Sequence, residues 1–265
     1  MTRVFALREG DSPLLVSLPH SGTALAHDLE ERLTAAAWLL PDTDWHIPRL
    51  YGFLEALGAT VIEARYSRYV VDLNRPPDGA ALYPGKAETA LVPTQTFAGE
   101  AIYRDGGDGG EPDAAEIAAR RARYWQPYHD ALGAALERLK ARFGYALLWD
   151  AHSIASRVPR LFDGRLPDLN IGTADGAACA PALAQAVYDT CADSDFSVVM
   201  NGRFKGGYIT RHYGRPDDGV HALQMEIAQA SYMHEPPPFR FDADRAGRLR
   251  PVLERAIDAM VAALA

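Results

Sequence analysis

The sequence has few cysteines and no long apolar segment. Its two cysteines, Cys179 and Cys191, lie at opposite ends of one predicted helix, and at about 1.5 Å rise per residue they are too far apart for a disulfide. No apolar run approaches the ~20 residues that a membrane span requires. The N-terminus also lacks the basic and apolar regions of a signal peptide. We therefore expect a cytoplasmic protein with free thiols and no membrane partner.

Positive charge is also not in excess, because the formal net charge is −8 at pH 7. A protein that binds nucleic acid normally carries a basic surface, so we expect no nucleic-acid partner. A small anionic substrate remains compatible with this charge, since a local pocket can be basic on an acidic protein. No heptad repeat or exposed apolar stripe stands out, and the oligomeric state is therefore left open.

Three common sequence motifs are missing. The absence of Gly-x-Ser-x-Gly counts against one type of serine hydrolase, although Ser21 or Ser153 could still serve a Ser-His-Asp enzyme. Neither Gly-x-Gly-x-x-Gly nor Gly-x-x-x-x-Gly-Lys-Ser/Thr occurs where a nucleotide-binding fold would need it.

The remaining pattern is that of a single α/β domain spanning residues 1–265. The chain is 48% hydrophobic and 23% charged, and no linker-like segment divides it. Predicted strands alternate with predicted helices, which indicates a mainly parallel, mixed sheet flanked by helices. The predicted strands are 14–18, 60–64, 66–73, 145–149, 168–173, 197–200 and 220–227. The predicted helices are 28–40, 45–57, 113–143 with an interruption at Pro127, 181–191 and 243–264, where Pro251 is expected to kink or divide the last.

Two long loops complete this interpretation. Residues 76–111 are rich in proline and glycine, and we expect part of this loop to cover the functional site. Residues 201–219 form a polar, glycine-rich loop. Asp113 begins a capping box with Glu116, and Asp44 is a candidate cap for helix 45–57.

Chemistry-bearing residues follow two of the predicted strands. Strand 14–18 is followed by His20, and strand 145–149 is followed by Asp150 and His152. Open α/β sheets usually place their active sites at such strand ends. Catalytic zinc commonly takes three protein ligands from His, Asp and Glu, so His20 and His152 predict a metal site with Asp44 as third ligand and Asp42 as its rival.

Two further carboxylates have candidate roles beside this site. Asp150 would either hydrogen-bond a ligand histidine or cap a turn. Glu226 lies within an apolar strand whose alternation places Gln224 and Glu226 on one face and Leu223, Met225 and Ile227 on the other. A carboxylate at such a position needs either a buried partner or a catalytic role, and a general base is the more specific interpretation.

Basic residues in the loops could bind an anion. Arginine suits bidentate recognition of carboxylates. The candidates lie in or near loops that contain Gly, Pro or Asn: Arg68, Arg75 next to Asn74, Lys205 and Arg211. These features together predict a metal-dependent hydrolase of an acidic substrate.

Several motifs together resemble the N-formylglutamate amidohydrolase family, which is similar in turn to zinc-dependent exopeptidases and aspartoacylases. The resemblance extends from His20 to about Tyr232. It is carried by residues 19–22 (PHSG), 42–44 (DTD), 67–75 (SRYVVDLNR), 150–153 (DAHS), 205–214 (KGGYITRHYG) and 224–227 (QMEI).

The resemblance implies a phosphorylase/hydrolase-like α/β fold and hydrolysis of N-formyl-L-glutamate to formate and L-glutamate, a step of histidine degradation. It also implies Zn²⁺ bound by His20, Asp44 and His152, with Glu226 as general base. The exopeptidases supply their acidic ligand as His-x-x-Glu, but Thr23 occupies that position here, so Asp44 is the expected substitute.

The same resemblance assigns the remaining site residues. Arg68 would polarise the scissile carbonyl, and Asn74 and Arg75 would bind a substrate carboxylate. Lys205 and Arg211 are further candidates, and the two carboxylates of glutamate make Arg75 and Arg211 the expected pair. The alternatives are an amidohydrolase of another N-acyl acidic amino acid, of the aspartoacylase or succinylglutamate desuccinylase type, and a binding or regulatory relative that has lost the metal.

Overall fold

A computed structural model describes residues 3–82, 85, 88–105 and 110–264 of the chain. It contains one seven-stranded sheet with the strand order β1-β3-β2-β4-β7-β5-β6. The strands are β1 (Phe5–Arg8), β2 (Leu14–Leu18), β3 (Thr60–Ala64), β4 (Ala146–Ile154), β5 (Leu169–Gly172), β6 (Val198–Met200) and β7 (Val220–Ala228). Strand pairs β2–β3, β2–β4, β4–β7 and β5–β6 are parallel, whereas β1–β3 and β5–β7 are antiparallel. The predicted mainly parallel, mixed sheet is therefore confirmed.

Helices cover both faces of this sheet. They are α1 (His27–Glu30), α2 (Ala35–Trp38), α3 (Ile47–Leu50), α4 (Ala114–Arg120), α5 (Gln126–Phe143), α6 (Pro181–Ala192), α7 (Tyr208–Tyr213) and α8 (Ala243–Ala262). A π-helical turn, Arg121–Trp125, joins α4 to α5, and 3-10 turns occupy Pro216–Asp218 and Gln229–Ser231. None of the described helices is long and apolar enough to span a membrane.

Two hydrophobic cores lie on opposite faces of the sheet. Leu14, Val16 and Trp149 face one core, which contains the apolar sides of α3, α6 and α8. Leu15 and Leu148 face the other, which contains the apolar side of α5. The central strands are buried on both faces, as expected for parallel strands between helical layers, and they form a rigid base for groups at their carboxyl ends.

Most predicted elements are confirmed to within one or two residues. Strands 14–18 and 60–64 have the predicted bounds, and 168–173, 197–200 and 220–227 differ by one or two residues. Asp113 caps α4 by accepting a hydrogen bond from the Glu116 amide. The interruption near Pro127 takes the form of the π-helical turn, which gives the proline ring room against the preceding carbonyls. Pro251 lies inside α8, and β1 was not predicted.

The predicted strand 66–73 is wrong. These residues form consecutive turns, with a hydrogen bond from the Val70 amide to the Ser67 carbonyl. Ser67, Arg68 and Asp72 are all buried, and they take part in local hydrogen bonds that a strand would not allow. The alternating apolar residues reflect burial on both sides of a loop rather than a place in the sheet.

The two predicted helices before β3 are also wrong in extent. Segment 28–40 is divided into α1 and α2, because Thr34 starts a new helix by capping the Ala37 amide. Segment 45–57 contains only the four-residue α3, whose N-cap is His46 in a left-handed conformation with φ 63°. Asp44 is therefore not the cap of this helix.

Two other boundaries change how the site is built. Strand β4 does not end at Trp149 but continues to Ile154, because β7 pairs with it along its full length. Asp150 and His152 consequently lie within the strand.

The predicted loop 201–219 contains helix α7 and a 3-10 turn. In the described parts of 76–111 there is no helix or strand of the sheet, and residues 106–109, with three of the predicted loop glycines, lie outside the described residues.

Replacing Asp113 by Ala should lower the free energy of unfolding by about 1 kcal/mol, because the Glu116 amide at the start of α4 loses its acceptor. Urea unfolding followed by circular dichroism measures this change. The Asp113→Ser variant keeps a capping oxygen and should recover most of the loss. Equal destabilisation by the two variants would contradict the capping role.

Candidate metal centre

Three neighbouring strands and one turn bring the candidate ligands together. His20 lies two residues after β2, His152 lies in β4, and β7 carries Glu226 directly beside His152 in the parallel register. Asp44 comes from the turn before α3, and its amide donates a hydrogen bond of 3.0 Å to the His20 carbonyl. The chain therefore joins residues that are far apart in sequence at one edge of the sheet.

The group His20, Asp44 and His152 is compact and buried. Its potential ligand atoms all lie within 4.8 Å of one another. Asp44 Oδ2 is 3.2 Å from His152 Nδ1 and 3.8 Å from His20 Nδ1. Asp44 Oδ1 is buried and has no hydrogen-bond partner among the described residues. A buried carboxylate oxygen without a partner is costly, and a bound cation would remove that cost.

Each histidine contacts a carboxylate through Nε2, the ring nitrogen other than the one nearest Asp44. His20 Nε2 is 2.7 Å from Asp72 Oδ1, and His152 Nε2 is 3.0 Å from Asp150 Oδ2. With the Nε2 proton assigned to these contacts, the Nδ1 lone pairs face the space beside Asp44. Metal-binding histidines are usually held by carboxylates in this way. Asp150 therefore contacts His152, a candidate ligand, in agreement with one of its two predicted roles, whereas the contact of Asp72 with His20 was not predicted.

The pKa values of the two histidines are shifted in opposite directions by their surroundings. Burial and the positive charge of Arg68 lower the pKa of His20, which favours its neutral form. Burial alone would lower the pKa of His152, but the carboxylates of Asp150 and Asp44 raise it well above its ordinary value. Burial would raise the pKa of Asp72, but Arg68 and His20 hold it well below its usual range. The centre is thus rich in negative charge on the side of Asp44 and Asp150.

This donor set fits a divalent metal ion. Two imidazole nitrogens and one carboxylate oxygen form a common set of three protein ligands in catalytic zinc sites, which keep one position open. The unpartnered Asp44 Oδ1 and the two Nδ1 atoms converge in the described structure. Asp42, the rival third ligand, is turned away, because its carboxylate accepts hydrogen bonds from the Tyr69 hydroxyl and the Phe97 amide. Burial raises the pKa of Asp42 to about 6.

Glu226 lies beside the ligand group and faces the same cavity. Leu223, Met225 and Ile227 belong to the hydrophobic core on the other side of β7, so the predicted alternation is confirmed. Burial raises the pKa of Glu226 to about 8, although the nearby His152 opposes this shift. Gln224 Nε2 donates a hydrogen bond of 3.1 Å to Glu226 Oε2 and holds the carboxylate in place.

Arg68 and Arg75 both line the cavity. Arg68 is buried, donates a hydrogen bond of 2.6 Å to Asp72 Oδ2, and lies 4.6 Å above the ring of Phe97. Its Nε atom has no hydrogen-bond partner among the described residues. Arg75 is held at the cavity by hydrogen bonds to the carbonyl and hydroxyl oxygens of Thr89. Thr89 belongs to loop 76–111, so part of that loop does border the site.

Asn74 is engaged within the protein. Its Nδ2 atom is 3.0 Å from His152 Nε2 and 3.4 Å from Asp150 Oδ2, and its Oδ1 atom accepts a hydrogen bond from the Ile209 amide. With the Nε2 proton of His152 directed at Asp150, Asn74 Nδ2 donates to Asp150 Oδ2, so Asn74 connects Asp150 to the start of α7. Asn74 borders the cavity, but its amide is committed to organising the centre rather than directed towards a ligand.

Lys205 and Arg211, two of the predicted substrate-binding residues, do not line the cavity in the described structure. The Lys205 ammonium forms an ion pair of 2.9 Å with Asp175, away from the cavity. Arg211 is exposed on α7 and donates from Nε to the Gly206 carbonyl. The sequence predicted both residues in one polar, glycine-rich loop, whereas Arg211 lies on the exposed side of α7 and Lys205 precedes that helix.

Arg203 lines the cavity instead and was not predicted. Its Nε atom donates a hydrogen bond of 2.7 Å to the Leu161 carbonyl, and its guanidinium lies 5.2 Å from the ring centroid of Phe204. It belongs to the same glycine-rich segment as Lys205 and Arg211. The sequence shows only that Arg203 lies in this glycine-rich segment. That position does not distinguish Arg203 from Lys205 or Arg211.

The described structure gives no support for a Ser-His-Asp arrangement. The Ser21 hydroxyl donates to the Leu18 carbonyl, and Ser153 Oγ lies 2.8 Å from the Tyr232 hydroxyl and 3.4 Å from Gln229 Nε2. Among the described hydrogen bonds neither serine is joined to a histidine. The geometry favours metal-dependent over serine-dependent hydrolysis.

Comparison with known proteins gives matches over most of the chain. Residues 12–233 match the model of the family described as N-formylglutamate amidohydrolase. An N-formylglutamate deformylase of Pseudomonas aeruginosa is 52% identical over 99% of this chain and 97% of its own length, and that of Pseudomonas putida is 48% identical over the same shares. The crystal structure of an N-formylglutamate amidohydrolase from Ralstonia eutropha has a TM-score of 0.81 at 26% identity and covers 96% of each chain. An Agrobacterium tumefaciens protein at 19% identity has the same fold, with a TM-score of 0.73.

The packing of Asn74 predicts that Gly207 cannot carry a side chain. A Cβ atom there would lie 2.3 Å from Asn74 Nδ2, although the φ of −84° would suit any residue. Since Asn74 is fixed by Ile209 and Asp150, the Gly207→Ala variant should lose roughly 1–3 kcal/mol of unfolding free energy through overpacking.

The matched control is Gly133→Ala in α5, where the new Cβ would meet Tyr213 at an ordinary 3.7 Å. This variant should be more stable by about 0.5–1 kcal/mol, because alanine suits a helix interior better than glycine. Urea unfolding of both variants measures the two effects. Wild-type stability in Gly207→Ala would contradict the close packing.

Proposed function

Because the chain belongs to the N-formylglutamate amidohydrolase family, we propose that it hydrolyses the formamide C–N bond of N-formyl-L-glutamate, giving formate and L-glutamate. The observation that carries this proposal is the convergence of His20, Asp44, His152 and Glu226 in one arginine-lined cavity. The two Pseudomonas relatives, which match nearly the whole chain, are named N-formylglutamate deformylases. The chemistry of the cavity and the names of the relatives support the same reaction.

The proposed metal ion is Zn²⁺, held by His20, Asp44 and His152. When bound, this ion supplies a Lewis acid for the formyl carbonyl and lowers the pKa of a water molecule. Asp72 and Asp150 fix the orientations of the two histidines and increase their basicity as ligands. The choice of zinc rests on the nitrogen-rich donor set.

Glu226 is the proposed general base. It takes a proton from the attacking water and later returns it to the nitrogen of the leaving amine. Burial raises the pKa of Glu226 to about 8 in the absence of a metal ion, and the charge of a bound cation would lower it towards neutrality, where a carboxyl group can both accept and donate a proton. Gln224 keeps the carboxylate directed into the cavity.

Arg68 is the proposed donor to the carbonyl oxygen of the formyl group. Its guanidinium is fixed by Asp72 and packed against Phe97, so it is preorganised for the negative charge that develops on that oxygen. Arg75 and Arg203 are the proposed partners of the two carboxylates of the glutamate moiety. Arg203 replaces Arg211 in this role, because Arg203 borders the cavity.

Three wider expectations belong to this proposal. The whole chain, residues 1–265, would act as one catalytic domain in the cytoplasm. The reaction would serve histidine degradation. The substrate would be a small N-acyl amino acid, with no nucleic-acid or membrane partner. The two cysteines, which are buried and free, support the expected reducing compartment.

A direct test measures metal content together with formate release from N-formyl-L-glutamate, beside N-acetyl-L-aspartate and N-succinyl-L-glutamate. Stoichiometric metal with turnover of the formyl substrate alone supports the proposal. If metal is present but another acyl substrate is turned over, the proposed substrate is wrong and the proposed metal centre stands. Absence of both metal and turnover would favour a binding protein that has lost the activity.

Replacing Glu226 by Gln should lower kcat at least about 100-fold, because the variant cannot take the proton from water. Zinc content should stay stoichiometric, since Glu226 is not among the proposed ligands. Metal analysis and a formate assay measure the two quantities. Glu63→Gln, a half-buried carboxylate on β3 outside the cavity, is the matched control and should keep wild-type turnover. Near-normal turnover in Glu226→Gln would remove the base assignment.

Replacing Arg203 by Ala should raise KM for N-formyl-L-glutamate at least about 10-fold, because a substrate carboxylate loses a charged partner in a partly buried cavity. The control is Arg211→Ala from the same segment, which should leave KM within about twofold because Arg211 is exposed outside the cavity. Steady-state kinetics measures both values. A larger effect from Arg211 than from Arg203 would restore the role expected from the sequence.

A further inference from the structure

The turn that carries Asp44 has little regular structure of its own. Its Trp45 amide donates to the Thr43 carbonyl at 2.8 Å, so Asp44 is the middle residue of a three-residue turn. His46 follows in a left-handed conformation with φ 63°, which is unfavourable for a residue other than glycine. A carboxylate on such a turn needs support from outside the turn to keep a fixed position.

That support comes from the segment that follows β7. Gln229 Nε2 donates a hydrogen bond of 3.0 Å to the Thr43 carbonyl, and the Tyr232 hydroxyl donates one of 2.7 Å to the Trp45 carbonyl. Both side chains also reach Ser153 at the end of β4, at 3.4 Å and 2.8 Å from its Oγ atom. The carbonyls on both sides of Asp44 are thus held by one network, and its three side chains are at most 2% exposed.

The proton positions in this network follow from the two groups at its ends, the Thr43 and Trp45 carbonyls. Both end groups are carbonyl oxygens, which can only accept. Tyrosine has a single hydroxyl proton, and the bond to Trp45 uses it, so the Ser153 hydroxyl must donate to Tyr232 Oη. Ser153 Oγ then accepts from Gln229 Nε2, whose other proton bonds to Thr43.

The segment that carries Gln229 and Tyr232 is itself fixed to β4. Glu235 accepts hydrogen bonds from the amides of Ala230 and Ser156 and from the Ser156 hydroxyl. Glu235 therefore joins the segments that follow β4 and β7. Neither Gln229 nor Tyr232 borders the cavity, so any effect that they have on the centre must pass through Asp44 or Ser153.

We propose that Gln229, Ser153 and Tyr232 are positioning residues that hold Asp44 in its metal-binding position through the Thr43 and Trp45 carbonyls. This inference rests on the proposed function, because it takes Asp44 as a metal ligand. With Asp44 fixed before the metal binds, the ion does not have to order a turn whose conformation includes the unfavourable backbone of His46.

The test is the dissociation constant for Zn²⁺ of the Tyr232→Phe variant, measured by competition with a chromophoric chelator. Tyr232→Phe removes one oxygen and should weaken zinc binding roughly 10-fold, in the range found for residues that support metal ligands. The matched control is Tyr128→Phe. Tyr128 is also fully buried and its hydroxyl is 3.0 Å from the Ser17 hydroxyl, but it does not contact the Asp44 turn. The control should keep the wild-type zinc affinity.

The melting temperatures of the metal-free proteins separate positioning from a merely structural role. Both variants lose one buried tyrosine–serine hydrogen bond, so both should melt at a somewhat lower temperature. A fall in zinc affinity confined to Tyr232→Phe supports the inference. Equal zinc affinities in Tyr232→Phe, Tyr128→Phe and wild type would overturn it. Failure of the wild-type protein to bind zinc would instead contradict the proposed function.

A double substitution tests whether the residues act as one chain. Ser153→Ala and Tyr232→Phe interrupt the same series of hydrogen bonds, so the effect of the double variant on zinc affinity should be much smaller than the product of the single effects. Gln229→Leu provides a third variant that leaves the cavity wall intact. Independent, multiplicative effects of the two substitutions would contradict the chain.

Discussion

The burial of opposite charges at the carboxyl edge of the sheet is the constraint on which the rest of this structure depends. Isolated buried charges are strongly unfavourable, and they become tolerable only when each has a partner of opposite charge or a full set of hydrogen bonds. Here the buried ionisable groups pair with one another: Asp44, Asp72 and Asp150 with His20, His152 and Arg68. Asp44 Oδ1 and Asp150 Oδ1 have no hydrogen-bond partner among the described residues, and a cation bound at Asp44 would satisfy the first of them.

Local structure around the centre follows from this requirement. The turns of residues 66–75 bring Asp72 to His20 and Arg68 to Asp72 from one loop, which a strand with alternating faces would not permit. The register of β4 and β7 places His152 beside Glu226. The turn at Asp44 is tied to the residues after β7. The rigid sheet therefore orders irregular segments that have little conformational preference of their own.

Patterns that depend on burial alone could be predicted from the sequence. Apolar runs such as Leu14–Leu18 gave the central strands, and the histidines that follow or extend them indicated the edge where the chemistry lies. The fold class and the face of Glu226 followed from the same periodicity. Strand 66–73 was wrong because a loop buried on two sides produces the same alternation as a strand. Helix α7 was not predicted, because nothing in a glycine-rich segment shows that a helix forms within it, so the sequence could not tell which of Arg203, Lys205 and Arg211 borders the cavity.

The most direct test of this account is anomalous diffraction from crystals of the zinc-loaded protein, recorded above and below the zinc absorption edge. The account predicts one strong peak within coordination distance of His20, Asp44 and His152, with Asp72 and Asp150 still bonded to the two histidines. A peak ligated by Asp42 or by other side chains, or no peak in protein that turns over N-formyl-L-glutamate, would contradict it.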